Sequence, residues 1–204
     1  MHQESKDTGY RKKLEACLMG KLQSNLSNAE EALFNLLKDI TDKTDEEINK
    51  LTLKFLDQIQ KKLSKKNDIE LNFEILDKSI YSQPIYINGI SYISLCEHHM
   101  LPFHGSVNIA VFPKKNILGI SKFSDIVTHL SNDLTLQEKL TENIALFIHE
   151  KLDADGVFVK ISGKHLCSDL LNSKNSLEEV ITTFSTGVYE LDFSLRNEAI
   201  LNFS

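Results

Sequence analysis

Cysteine is scarce in this 204-residue chain, and the three that occur, Cys17, Cys96 and Cys167, stand at unrelated spacings. An odd number without a repeating interval argues against the disulfide framework of a small secreted domain. Glycine and proline are few, at eight and three, so long structureless linkers are not expected. No apolar run approaches the roughly 18 residues of a membrane span. The opening MHQESKDTGYRKK lacks the apolar core of a secretory signal. Basic residues number 23 against 29 acidic ones, for a net charge of −6. A general nucleic-acid or anionic-membrane binder usually presents a basic face, so neither partner is expected. These absences predict a reducing, cytoplasmic setting in which a cysteine can serve as a thiolate ligand. What is present is 41% hydrophobic and 25% charged, ordinary for a globular chain. The length suits one large domain, or a domain with a helical appendage.

The periodicity divides the chain near residue 67. Residues 1–67 read as a helical region. Ser27 with Glu30, and Thr44 with Glu47, make capping-box patterns, each followed by apolar residues at steps of three and four: Leu33, Leu36, Leu37 and Ile40, then Ile48, Leu51, Phe55 and Ile59. The Lys-rich stretch at 61–68 reads as a solvated helix end. From residue 68 the period changes to two. Leu71, Phe73 and Ile75 alternate with polar residues, and Ile85, Ile87 and the run at 90–95 flank an expected turn at Asn88-Gly89. Val107, Ile109 and Val111 alternate again. GISKFSDIVTHL and LTLQEKLTENIALFIHEKL carry helical spacing, strands resume around Val157 to Ile161 and over 179–189, and a last helix is expected over 194–201. Helices first, then β-β-α-α-β-β-α with hairpin-like neighbours, predict an α+β fold with a largely antiparallel sheet.

The stretch SLCEHHMLPFHG at 94–105 concentrates chemistry that needs a complement elsewhere. That complement is His165-Leu166-Cys167, about 66 residues beyond His99. Cys96, His99 and Cys167 form a plausible three-ligand zinc set, which leaves one position for water as catalytic zinc sites do. His98 and His165 are then spare, with an ordinary pKa near 6.5 that suits proton transfer at neutral pH. On spacing alone the plainer alternative stands beside this one: a Cys on an apolar strand is commonly a small buried hydrophobe. His104, His129 and His149 read as surface or helix-face residues, and Cys17 as a small apolar residue.

SLCEHHMLPFHG, ILGISKFSDIV, LQEKLTENIA and GVFVKISGKHLC, in this order and spacing, resemble GTP cyclohydrolase I. The likeness runs from about Ser91 to Cys167 and, more loosely, through TTFSTGVYELDFSLRNEAIL to Leu201. The resemblance implies a tunnelling fold (T-fold) over 68–204: an antiparallel four-stranded sheet backed by helices, assembled into a homodecamer with active sites between subunits. It implies conversion of GTP and water into 7,8-dihydroneopterin triphosphate and formate, on the way to folate or another pterin. Carried over by motif, Cys96, His99 and Cys167 match the ligands of Zn2+. His98 matches the histidine beside the metal, and His165 the one that transfers a proton at N7 of the purine. Gln137 and Glu138 match the pair that recognises guanine, and Ser121 and Lys122 match residues at the triphosphate. Glu97 reads as a loop anchor.

The departures bear on the substrate. Where the family usually has two triphosphate-binding arginines, this chain has Asp125 and Leu171; Ser106 replaces a usual lysine; and the entry motif TPxRV survives only as TDEEI at 44–48. An Arg–phosphate hydrogen bond contributes roughly 1.5–3 kcal/mol, so two losses weaken the triphosphate grip unless Lys114, Lys115, Lys164, Lys174 or Arg196 compensates. Besides GTP hydrolysis, two alternatives follow: a same-fold zinc hydrolase acting on a less phosphorylated purine, and a non-catalytic ring that binds a pterin, a nucleotide or a protein.

Overall fold

The computed structural model describes residues 27–63, 71, 73–75, 83–171 and 179–203. Cys17 and residues 64–68 lie outside that range. The chain separates into two compact units, Met1–Lys62 and Leu63–Ser204.

In the first unit, α1 (Asn28–Ile40) and α2 (Asp45–Leu63) begin where the capping boxes place them. The Glu30 amide donates to the Ser27 hydroxyl at 3.4 Å, and the Thr44 amide donates to the Glu47 carboxylate at 3.0 Å. Each box satisfies amides that a helix start leaves unpaired. The apolar face is less covered than its periodicity predicts. Phe34, Ile48 and Thr52 are buried, whereas Leu36, Ile40, Leu51 and Phe55 are largely exposed. Helix periodicity marks which face is apolar; it does not supply something to cover it.

The second unit is α+β. A short pair, β1 (Phe73–Ile75) with β4 (Asn116–Leu118), is antiparallel. The main sheet uses β2 (Ile85–Cys96), β3 (Pro102–Phe112), β5 (Leu134–Thr135), β6 (Gly156–His165) and β7 (Val180–Gly187), in the order β5-β2-β3-β6-β7. The four long strands pair antiparallel and the two-residue β5 adds a parallel fifth along the end of β2, so the sheet is a mixed five-stranded one rather than the four-stranded antiparallel sheet expected. The turn expected at Asn88-Gly89 is not there. β2 runs straight through it, with a register shift against β3 between Ile87 and Ile90. Gly89 takes a positive φ of 72°, and its amide donates to the Asn108 side chain at 2.7 Å. An Asn-Gly pair tolerates left-handed backbone equally in a hairpin turn and in a bulge, so the dipeptide alone could not tell the two apart.

Helices α3 (Ile120–Ser131) and α4 (Gln137–Leu152) lie against one face of this sheet. Between them and the strands sits the main core, with Phe103, Val107, Ile109, Val159, Ile161, Ile126, Leu140, Ile144 and Ile148 fully or almost fully buried. The alternating residues of β3 and β6 point there, as period two requires. On the other face α6 (Val188–Leu191) and α7 (Phe193–Asn202) cover only one end, where Tyr189, Ala199 and Phe203 pack on Ala110 and Phe158. A short α5 (Leu166–Leu171) continues directly from β6. No helix among the described residues is long and apolar enough to cross a membrane.

Candidate active site

The register determines which residues share an end of the sheet. Leu95 of β2 pairs with Pro102 of β3, and Phe103 of β3 pairs with His165 of β6. Cys96, the tight turn after it, His165 and the start of α5 with Cys167 therefore lie at one end. The turn is closed from both sides: the Cys96 amide donates to Leu101 O at 2.9 Å, and the Met100 amide donates to Cys96 O at 2.8 Å. Met100 takes a left-handed φ of 55° within it, and the Glu97 amide donates to Thr135 O of β5 at 3.3 Å. Glu97 anchors this loop through its backbone, its side chain being exposed. Cys96 is buried and Cys167 half-buried, both as free thiols. His98 and His99 project from the turn, exposed, with ring centroids 6.2 Å apart.

His165 is held by two neighbours. Its ring stacks on Phe103, with centroids 4.8 Å apart and planes 7° from parallel. Its Nε2 stands 3.0 Å from Gln137 Oε1. Gln137 opens α4, yet its side chain turns inward and is 1% exposed. The amide nitrogen donates to Val180 O at 2.9 Å, to Thr182 Oγ1 at 3.1 Å and to Ile161 O at 3.3 Å. Two of these partners are carbonyls, which only accept, so the NH2 must face them and the amide oxygen must face the imidazole. Nε2 of His165 is then the protonated nitrogen of the neutral ring, and Nδ1 carries the lone pair. Burial holds the His165 imidazole below its ordinary pKa, opposed by the nearby Glu138 carboxylate.

Glu138 itself is exposed and borders a cavity of about 450 Å³ between α4 and β7, lined also by Leu136, Thr182 and Phe184. Ser121 and Lys122 lie in the first turn of α3. Ser121 is exposed, and the Lys122 ammonium is in an ion pair with Asp125 at 2.9 Å. Of the cations that could compensate for missing arginines, Lys114 pairs with Asp153 at 3.2 Å, and the Arg196 guanidinium donates to Tyr189 O and Glu190 O.

The structure thus joins Gln137 directly to His165 and sets Glu138 beside them. It also brings Cys96 and Cys167 to the same end of the sheet. It does not close the predicted ligands around a point. Among the described residues no three of His, Cys, Asp or Glu stand together as a metal-holding group. As a donor set, two thiols and an imidazole suit zinc, whose usual ligands they are. The network that holds Gln137 was not foreseen. Thr182 and Thr141 support it, with their hydroxyl oxygens 2.6 Å apart and Thr141 donating to Gln137 O at 2.7 Å. Its members lie on α4, β6 and β7, so only the tertiary pairing shows it.

A family model described as GTP cyclohydrolase I matches residues 28–203. This chain belongs to the GTP cyclohydrolase I family. A protein of Fusobacterium nucleatum subsp. nucleatum named GTP cyclohydrolase 1 is 34% identical over 174 residues, covering 84% of this chain and 92% of its own. Proteins of the same name from Rickettsia typhi and Leptospira biflexa are 38% and 40% identical over 133 and 114 residues. They are matched over 65% and 56% of this chain, and over 70% and 62% of their own. A solved archaeosine synthase QueF-Like chain covers 52% of this chain and 92% of its own, at a TM-score of 0.39 and 16% identity; a likeness that slight carries no argument. The match to the family takes in the first helical pair as well as the sheet unit.

Proposed function

We propose that this protein is a zinc-dependent GTP cyclohydrolase I, hydrolysing GTP at C8 to 7,8-dihydroneopterin triphosphate and formate. The observation that carries the reading is the His165–Gln137 couple at the same end of the sheet as Cys96 and Cys167, with Glu138 at the neighbouring cavity.

Cys96, His99 and Cys167 would hold the zinc. Bound there, zinc supplies the Lewis acidity that makes water nucleophilic at neutral pH. The chain's own residues supply the rest. C8 of a purine is a poor electrophile until the imidazole ring is protonated at N7. Gln137 keeps the Nε2–H of His165, so the proton that the ring takes up from water to become an imidazolium sits on Nδ1, from which it passes to N7 and leaves the ring neutral again; Phe103 fixes the plane of the ring. A general acid placed this way contributes roughly 10²–10⁴ in rate. His98, beside the ligand His99, is the second proton carrier. The Glu138 carboxylate accepts from the N–H groups of guanine. Gln137, with both N–H groups already engaged, serves this reaction by holding His165. Ser121 and Lys122 meet the phosphates. The tunnelling fold of the family, its homodecamer with sites between subunits, and a cytoplasmic setting complete the reading.

One observation favours a second reading. Asp125 already pairs with Lys122, the cation expected at the triphosphate, which suits a purine with fewer phosphates. Zinc-loaded protein incubated with GTP, GDP, GMP and guanosine separates the two, with formate release and pterin fluorescence as readouts. Dihydroneopterin triphosphate from GTP supports the first reading. Turnover confined to a less phosphorylated purine establishes the second. Bound zinc with no turnover of any of the four makes the protein a binding ring and overturns both.

A further inference from the structure

One buried polar group lies beside this site without a partner. Tyr92, in the middle of β2, is 6% exposed, and its hydroxyl oxygen has no hydrogen-bond partner among the described residues. A phenylalanine would fill the same space without desolvating a hydroxyl, so the oxygen needs a reason. Its surroundings offer one. A Cβ on Gly163 of β6 would stand 2.5 Å from the Tyr92 oxygen and 2.4 Å from Gln137 Oε1. The side chain that Gly163 lacks is therefore the space these two oxygens share. Gln137 Oε1 has two lone pairs, and the His165 N–H takes one of them. The same tyrosine supports the imidazole from below. Its ring meets Phe103 edge-on, with centroids 5.8 Å apart, and Phe103 stacks on His165. Burial also pushes the Tyr92 phenol above its ordinary pKa, so it stays a donor.

We propose that Tyr92 is a positioning residue for His165: its hydroxyl, which faces Gln137 Oε1 across the space beside Gly163, donates to the second lone pair of that oxygen through one bridging water. By holding the amide it holds the imidazole in the tautomer that leaves Nδ1 to the substrate. The proposal rests on the reading of His165 as the proton-transfer residue, and its test must be separable from that reading.

Tyr92→Phe keeps the ring and removes only the hydroxyl. With GTP, kcat should fall about three- to tenfold, the size of one lost hydrogen bond, with KM changed less than about twofold. Solid-state 15N NMR of histidine-labelled protein should show His165 as the Nε2–H tautomer alone in the parent protein and as a mixture in Tyr92→Phe. The resonance is assigned by its loss in His165→Asn. Gly163→Ala fills the gap from the other side and should lower kcat as well; adding Tyr92→Phe should then cost little more. An unchanged kcat with an unchanged tautomer overturns the proposal. So does a raised KM at constant kcat and tautomer, which would make the hydroxyl a substrate contact, and so do additive losses in the double variant. The 15N readout needs no substrate, so it decides the positioning claim even if no purine is turned over.

Discussion

Lys122 and Asp125 are one helical turn apart on α3, and their ion pair sets how strongly a phosphate can claim the lysine. The pair is part-exposed, and exposed pairs contribute about 0.2–1 kcal/mol. Asp125→Asn frees the ammonium and removes a repelling charge without changing size. The KM for GTP should fall by up to about fivefold, at about 1.4 kcal/mol per tenfold. The gain should shrink as salt is raised, while the KM for guanosine stays put. Steady-state kinetics at two ionic strengths checks this, and an unchanged KM for GTP would place Lys122 away from the phosphates. The proposed zinc ligands and His165 divide differently. Cys96→Ser and Cys167→Ser should lose bound zinc and turnover together. His165→Ala should keep zinc and lose about 10²–10⁴ in kcat. Zinc content by mass spectrometry beside kcat gives the comparison, and full turnover by His165→Ala would sink the assignment. The motifs single out Cys96, His98, His99, His165 and Cys167 as candidates because they stand in short runs. The hydrogen bonds of Gln137 could not be read there, because its partners Ile161, Val180 and Thr182 lie on two other elements. Tyr92 and Gly163 were invisible for the same reason: their meeting is a product of the β2-β3-β6 register.

Secondary elements were legible where one force dominates. Both capping boxes start helices, and Val107, Ile109 and Val111 all reach the core. Failure came at Asn88-Gly89, where local preference serves two structures and the Asn108 side chain selects one. Gly89 carries a positive φ with nothing within 4 Å of a would-be Cβ, so substitution there meets backbone strain and no clash. Gly89→Ala should destabilise by about 1–2 kcal/mol, the left-handed penalty for an L-residue. Gly89→Asn should cost less, since asparagine tolerates that region. Denaturant midpoints of the two variants test the account; equal losses would mean that something other than φ matters at this bulge.

At the scale of the whole molecule, the four long strands end in an exposed flank. β7 is the last strand of the sheet, and Ile181 on it is 54% exposed. Leu191, Phe193 and Leu201 are exposed on α6 and α7 as well. Open strand edges and clustered apolar side chains are what a protein ordinarily shields or uses for assembly. The proposed ring uses them, and because its sites would lie between subunits, assembly and turnover should be lost together. Ile181→Lys places a charge on the exposed part of β7, outward from the core. Sedimentation should show about ten 23.2 kDa chains in the parent protein and smaller species in the variant, with kcat falling in proportion to the assembled fraction. Circular dichroism should stay that of the folded chain, since the position is outside both cores. Dissociation with undiminished turnover would show that one chain completes its own site. Undiminished assembly would move the contact away from β7, to the apolar faces of the helices.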